Sequence, residues 1–386
     1  MKKIKNQTSL VILLAVLSAI APMSVDTYIP AFPQMALNFH INIEQIELTL
    51  SVFLIGFAVG QIFGGSYSDV VGRKKSSLVG LLGFALFSFL IIFSESVYML
   101  WIFRFFEAFF GGLIVVNSNA IARDLFHGKE AAKIFSLIGA IRSVAPLVAP
   151  FIGSFILYFY SWEMIFVFLT LYSLSLGFYI KYYFSETYTY VKQDFIGSYM
   201  IVLRHKEAMK VMLVLGFAFS GMFIIIAKSS FIYMEYFHIN KSLFPFYISF
   251  NVLAIMALIK VNVILLKTYS PKELIKYAMF LQIVIGAIFI FIANDISLII
   301  TILILACYTG LLAFIYGNAT ALALEYFPSN AGVASSVLGV VQFGLGAILS
   351  STVMLFHATT LLPIAISITI MSICAFLIIK SYKGKF

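Results

Sequence analysis

The feature that most constrains this chain is a dozen apolar stretches, each long enough to cross a bilayer and separated by short linkers. They run over approximately 9–30, 46–67, 76–94, 98–122, 134–158 and 162–183, then 209–230, 243–266, 274–293, 296–320, 331–355 and 359–380. Crossing the hydrocarbon core takes about 20 apolar residues in a helix. Membrane barrels alternate polar and apolar residues along short strands; here the stretches are continuous, so the spans are helices. Only 11% of the residues are charged, against roughly 25% in a soluble globular domain, and such a chain cannot cover its surface for water. The expectation is an all-α membrane protein of twelve transmembrane helices in two six-helix halves. The longest stretch outside the membrane, about 184–208, falls at the midpoint. It divides the chain into an N-terminal half, 1–190, a cytoplasmic linker, 191–208, and a C-terminal half, 209–386.

The placement of the charges sets the orientation, because Lys and Arg of short loops stay cytoplasmic. With the N-terminus inside, the inner loops and ends gather Lys2, Lys3, Lys5, Arg73, Lys74, Lys75, Arg123 and most other cations, while the outer loops keep only Lys241. The outer side takes acids instead, among them Glu44, Glu47, Glu95 and Asp295. Both termini are therefore expected in the cytoplasm, in an inner membrane. The opening MKKIKNQTSL followed by an apolar run has the look of a signal peptide. The run continues to Pro30 without a cleavage-site pattern, so it reads as the first span, retained. The net charge of +9 is absorbed by this topology and implies no nucleic-acid partner. Cys307 and Cys374 lie in apolar stretches and give no metal spacing or disulfide framework. No HExxH, GxSxG or Walker loop occurs, and the five histidines are scattered, so neither an enzyme nor a self-contained ATP-driven pump is expected, and no cofactor or metal.

The loop between the second and third spans reads GSYSDVVGRKK, with Gly65, Asp69, Gly72, Arg73 and Lys74 at fixed spacing. It resembles the signature loop of the major facilitator superfamily. That resemblance implies a charge network latching the two halves in the outward-facing state, with Val70 standing where a basic residue is common. The corresponding loop of the second half, KTYSPKELIK, keeps only the positive charge. SVDTYIPAFPQMA (24–36), FRFFEAFFGG (103–112), NAIARDLF (119–126), APLVAPFIG (145–153), SWEMIF (161–166) and SET (185–187) are similar to the bicyclomycin-resistance (Bcr/CflA) drug exporters within that superfamily, and AGVASSVLGVVQFGLGA (331–347) more weakly so. The resemblance implies the major facilitator fold, proton-driven export of drugs or small metabolites, a monomer, and an antiporter motif at Pro146, Pro150 and Gly153.

Ionisable groups inside spans are costly and usually functional. Asp26 lies about 16 residues into the first span, roughly 24 Å from its inner end, and Arg104 roughly 9 Å from the outer face in the fourth. They reach similar depth, so pairing between them is expected. Glu107 follows Arg104 by three positions on the same helical face, and Gly111 and Ser118 continue the stripe as a groove. Glu107 replaces the Gln common in the family and adds a second possible proton carrier; Arg142, before the proline motif, completes a coupling cluster. Protonation of Asp26 or Glu107 would weaken its pairing with Arg104 or Arg142 and bias a two-state transporter; the alternative is a fixed ion network. Lys228 and Lys260 lie near span ends and are expected to snorkel. Asn117, Asn251, Asn262, Asn318 and Gln342 either line the cavity or bond helix to helix. Tyr28, Tyr233, Tyr308 and Tyr316 are candidates to stack on apolar substrates. A small-molecule substrate, protons and membrane lipid are the expected partners. An importer of a specific metabolite would use the same charges, and a non-transporting membrane sensor is the remaining reading.

Overall fold

The computed structural model describes residues 7–125, 128–187, 195–240, 242–327, 331–354 and 360–384, with the backbone alone for Gln7, Ser66, Arg123, 128–143, 195–196 and 331–332. The described residues are all-helical, without a strand, and the chain divides into two compact units, Met1–Asp194 and Phe195–Phe386.

In the first unit the leading span is broken into α1 (Gln7–Ser18), α2 (Ile20–Asp26), a 3₁₀ turn (Ile29–Ala31) and α3 (Phe32–Phe39). Prolines place the breaks. Pro22 has no N–H for the Ser18 carbonyl and Pro30 none for that of Asp26, so α1 and α2 end at those two residues. The segments Thr8–Ser18 and Ile20–Phe39 are bent by 42°. Then come α4 (Ile43–Val71), α5 (Arg73–Ile91), α6 (Val97–Leu125), α7 (Gly128–Phe159) and α8 (Glu163–Tyr183). Gly72 joins α4 to α5 at φ +94°, a conformation that favours glycine. Three glycines spaced four apart on α4 form its seam with α6. Gly56 and Gly60 lie against the carbonyls of Phe105 and Phe109, and a Cβ on Gly64 would stand 2.9 Å from Cα of Leu113. Gly112 answers from α6, where a Cβ would meet the Phe57 carbonyl oxygen at 2.5 Å.

The second unit begins with α9 (Phe195–Arg204), a ten-residue helix within the stretch expected to be linker. It continues with α10 (Lys206–Ser230), which runs into a π-helical turn at Phe231–Tyr236, then α11 (Phe244–Leu265) and α12 (Pro271–Ile292). α13 (Leu298–Gly310) and α14 (Leu312–Leu324) form one span interrupted at Leu311, followed by α15 (Ala331–Met354) and α16 (Leu362–Ser381). The core of this unit forms around α10, which packs on α14, α15 and α16. His205 caps α10 by accepting the Ala208 N–H at 3.2 Å, and the Ser270/Glu273 pair of SPKE makes a capping box for α12.

Ten helices among the described residues are long and apolar enough to cross a membrane; the bent first span makes eleven, and α7, with its apolar stretch Val144–Phe159, the twelfth. Large apolar side chains stand exposed on them, Phe291 at 93% and Ile299 at 70%, as only lipid permits. Two expectations about charges change. Lys228 does not snorkel: on the core helix of its unit it is 1% exposed, whereas Lys260 is exposed. Glu44 and Glu47 are not in an outer loop, because α4 begins at Ile43, ahead of the expected start, and both side chains are buried, Glu47 completely.

Candidate functional site

The centre of the first unit is an ion pair shut off from solvent. Arg104 and Glu107, three residues apart on α6, meet through Nη1 and Oε2 at 2.6 Å with both side chains 0% exposed. Taking two charges out of water is tolerable only when the remaining polar atoms are satisfied, and two serines do most of this. Ser24 on α2 accepts Nη1 of Arg104 at 2.9 Å and donates to Oε1 of Glu107 at 3.2 Å; Ser88 on α5 donates to the same oxygen at 2.8 Å. Of the pair's own polar side-chain atoms, only Nε of Arg104 lacks a hydrogen-bond partner among the described residues. The guanidinium is also boxed by aromatic rings, its Cζ lying 4.2 Å from the ring centroid of Tyr28, 4.4 Å from Phe53 and 5.8 Å from Phe166. Tyr28 is held in turn by a hydrogen bond between its hydroxyl and Thr49.

Asp26 ends α2, two residues beyond Ser24, buried and without a hydrogen-bond or ion partner among the described residues. The expected Asp26–Arg104 pair is therefore not made. Glu107 sits one helical turn from Arg104 on a rigid helix and meets it at no cost in loop ordering, whereas Asp26 lies where the span breaks. Gly111 and Ser118 do not open a groove either. Gly111 packs on Phe84 and Phe57, and Ser118 donates to the Leu14 carbonyl at 2.7 Å and bonds Ser18. Pro146 and Pro150 lie inside α7, and Gly153 brings that helix against the Thr27 carbonyl in the break, a contact with no room for a Cβ. The side chain of Arg142 lies outside the described residues.

A second charge network forms at the α4–α5 turn. Arg73 binds Asp69 at 2.5 Å, Asp124 of α6 at 2.8 Å and Ser68 at 2.8 Å. The first turn of α5 has no side-chain cap from Gly72. Glu186, beyond the end of α8, supplies one, accepting the backbone N–H groups of Arg73 at 2.9 Å and Lys74 at 3.1 Å. A Cβ on Gly72 would stand 2.5 Å from the Glu186 carboxylate. Gly65 lies on α4, one turn before Asp69.

The remaining candidates are dispersed. Asn117 is buried and donates to Ser76 at 2.7 Å. Tyr308 is buried, its hydroxyl bonded to the Ile368 carbonyl at 2.9 Å and to Ser372 at 2.8 Å. Asn251 and Gln342 are buried, and Tyr316 is 38% exposed beside Phe219. Asn318 donates to Asn262 at 3.0 Å, joining α14 to α11. Sequence reasoning gave no role to Ser24, Ser88, Phe53, Phe166, Asp124 or Glu186. Ser24, Phe166, Asp124 and Glu186 stand inside the motifs that carry the family resemblance, which is the signal that marks them. Ser88 and Phe53 carry none.

Residues 14–351 match the sequence profile of the Major Facilitator Superfamily. A bicyclomycin resistance protein homolog of Haemophilus influenzae is 29% identical over 99% of this chain and 97% of its own length. The multidrug resistance protein MdtL of Shewanella oneidensis is 28% identical over 83% of this chain and 82% of its own. Among solved structures, a D-xylose-proton symporter superposes with a TM-score of 0.78 at 14% identity, covering 98% of this chain and 99% of that one, which bears on the fold alone. The relatives are membrane transporters and not enzymes. Matched along most of its length and built from twelve helical spans, the chain belongs to the major facilitator superfamily.

Proposed function

We propose that this transporter is a proton-coupled antiporter that exports drugs or small metabolites across the bacterial inner membrane by alternating access. The observation that carries the reading is the buried Arg104–Glu107 pair with the unpaired Asp26 beside it at the break of the first span. One described arginine thus has two carboxylates within its region, and ionisable groups kept at such a cost inside spans mark ion and substrate pathways. Broken helices near the middle of the membrane are where transporters build their sites. Proton uptake on Asp26 or Glu107 changes which acid holds Arg104; substrate and proton then favour different states of the same element, which is exchange. Arg142, close before Pro146, belongs to the same cluster, and Pro146, Pro150 and Gly153 seat α7 on the break. Tyr28, Asn117, Asn251, Tyr308, Tyr316 and Gln342 are the polar and aromatic positions assigned to the substrate path. Gly65, Asp69, Gly72, Arg73 and Lys74 form the conformational latch. Both termini lie in the cytoplasm, and the working unit is a monomer. The relatives named for bicyclomycin and multidrug resistance support drugs as the substrate class.

The test is proton flux in inside-out membrane vesicles, acidified inside and challenged with a panel of drugs and small metabolites. Antiport predicts proton release on adding a substrate, lost in Asp26→Asn. Full gradient-driven export by Asp26→Asn removes that residue from the coupling. Proton movement in the same direction as substrate makes the protein a symporter and sinks the exchange reading.

A further inference from the structure

Ser24 stands where the buried pair and the broken span meet. Its hydroxyl has one proton and two lone pairs; the proton goes to Glu107 and a lone pair takes Nη1 of Arg104. Its backbone carbonyl also receives Nη2 of Arg104 at 3.5 Å. That carbonyl lies in the last turn of α2, where helical carbonyls run out of N–H donors and a cation is favoured. Arg104 therefore has two sets of acceptors, the Glu107 carboxylate on its own helix and the end of α2. Ser88 gives the contrast. It donates to the same oxygen of Glu107, but from α5, and it takes nothing from Arg104 among the described residues. It satisfies Glu107 and grips nothing in the first span.

We propose that Ser24 is a positioning residue that ties the charge state of Glu107 to the end of α2, and so to Asp26. What the tie achieves rests on the antiport reading above; the tie itself does not. With Glu107 ionised, the guanidinium is shared between Oε2 and Ser24. A proton on Glu107 removes the balancing charge and gives the carboxyl an O–H that needs an acceptor of its own. Arg104 then depends on the hydroxyl and carbonyl of Ser24, and the next carboxylate along α2 is Asp26. Loading Glu107 tightens the hold on the end of α2 and unloading relaxes it. Other titratable groups on the surrounding elements are Tyr28 in the break, Glu44 and Glu47 on α4 and Tyr172 on α8, whose hydroxyl donates to the Val16 carbonyl at 2.7 Å. Among further charges, α7 carries Arg142, its side chain lying outside the described residues, and α8 carries Glu163 in its first turn and Lys181 in its last.

Thr27 can report the movement. It is fully buried directly after Asp26, and its hydroxyl has no hydrogen-bond partner among the described residues, so Thr27→Cys changes little. Cys307→Ser and Cys374→Ser remove the other thiols. The rate of N-ethylmaleimide labelling at position 27 is measured on the purified full chain in detergent, alone and with Glu107→Gln, Ser24→Ala or both. Glu107→Gln is expected to change the rate about fivefold with Ser24 present and less than about twofold after Ser24→Ala, the non-additivity of residues in one network. The full response persists with Ser24→Thr, which keeps the hydroxyl, and with Ser88→Ala. Additive effects overturn the proposal, as does an unchanged rate in Glu107→Gln or loss of the response in Ser88→Ala as well. If Ser24→Ala does not fold, Ser24→Val against Ser24→Thr makes the same comparison. The labelling needs no substrate. A wild-type protein with no proton flux but intact coupling at position 27 therefore refutes antiport and keeps the tie, and the reverse result does the opposite.

Discussion

Replacing Arg104 by methionine leaves Glu107 a bare carboxylate in a site with no solvent exposure, and Glu107→Leu strands the guanidinium in the same way. Breaking a buried pair from one side costs about 3–5 kcal/mol. The structure puts both single variants towards the lower end. Glu107 would keep the hydroxyls of Ser24 and Ser88, and hydrogen bonds to charged groups contribute about 1.5–3 kcal/mol each. Arg104 would keep two acceptors on Ser24 and the faces of Tyr28 and Phe53, a desolvated cation–π contact contributing about 2 kcal/mol. Each single replacement should therefore cost about 3 kcal/mol. The double variant, Arg104→Met with Glu107→Leu, removes both charges and leaves apolar side chains among Tyr28, Phe53 and Phe166. It should lie within about 1 kcal/mol of the parent, giving a coupling of roughly 5 kcal/mol between the positions. Reversible unfolding of the purified protein in mixed detergent and SDS micelles measures all three, and gradient-driven transport should be lost in all three. Single variants within about 1 kcal/mol of the parent, or a double variant as damaged as the sum, would refute this account of the pair.

Glu186→Ala should uncap α5 at a cost of about 1–2 kcal/mol, read as roughly tenfold faster hydrogen exchange over residues 73–76; unchanged exchange there would show the cap to be idle. Gly60→Val should push α4 off α6, an overpacking cost of about 1–3 kcal/mol or more by SDS unfolding, whereas the same change at Gly317, with open space where its Cβ would be, should cost far less. His205→Ala should lower stability by about 1 kcal/mol in the same assay and His205→Asn should restore it, since an asparagine side chain also accepts the Ala208 N–H.

The spans were legible because hydropathy over 20 residues is a local property: most observed helices fall within a few residues of the expected ones, while the first span runs nine residues past its expected end, to Phe39, and α7 starts six residues early. The breaks in the first span were legible in principle from Pro22 and Pro30. What they leave exposed was not, because the acceptor of Arg104 depends on which helix lies against α6. Local geometry decides the pairing for Glu107, while depth along two separate helices suggests Asp26; sequence reasoning weighted the second too heavily. The burial of Lys228 was hidden for the same reason, since a span does not declare whether it is the core or the rim of its unit. Glu186 shows the opposite case. A motif recognised only by likeness holds the one carboxylate that α5, starting straight after glycine, has no local means to provide.

The broken backbone of the leading span also bears on how the protein is made. The carbonyls at Ser18 and Asp26 lose their helical donors to Pro22 and Pro30, and an unsatisfied backbone group in lipid costs several kcal/mol. An ionised acid such as Asp26 inside the hydrocarbon adds to this for a segment inserting alone, up to about 2.5–3.5 kcal/mol, the figure for a helix centre. The helices that cover this region, α6 and α7, leave the ribosome much later. The segment is therefore a poor candidate to settle in the bilayer by itself, and it completes its insertion only when its partners arrive: early in synthesis, late in assembly.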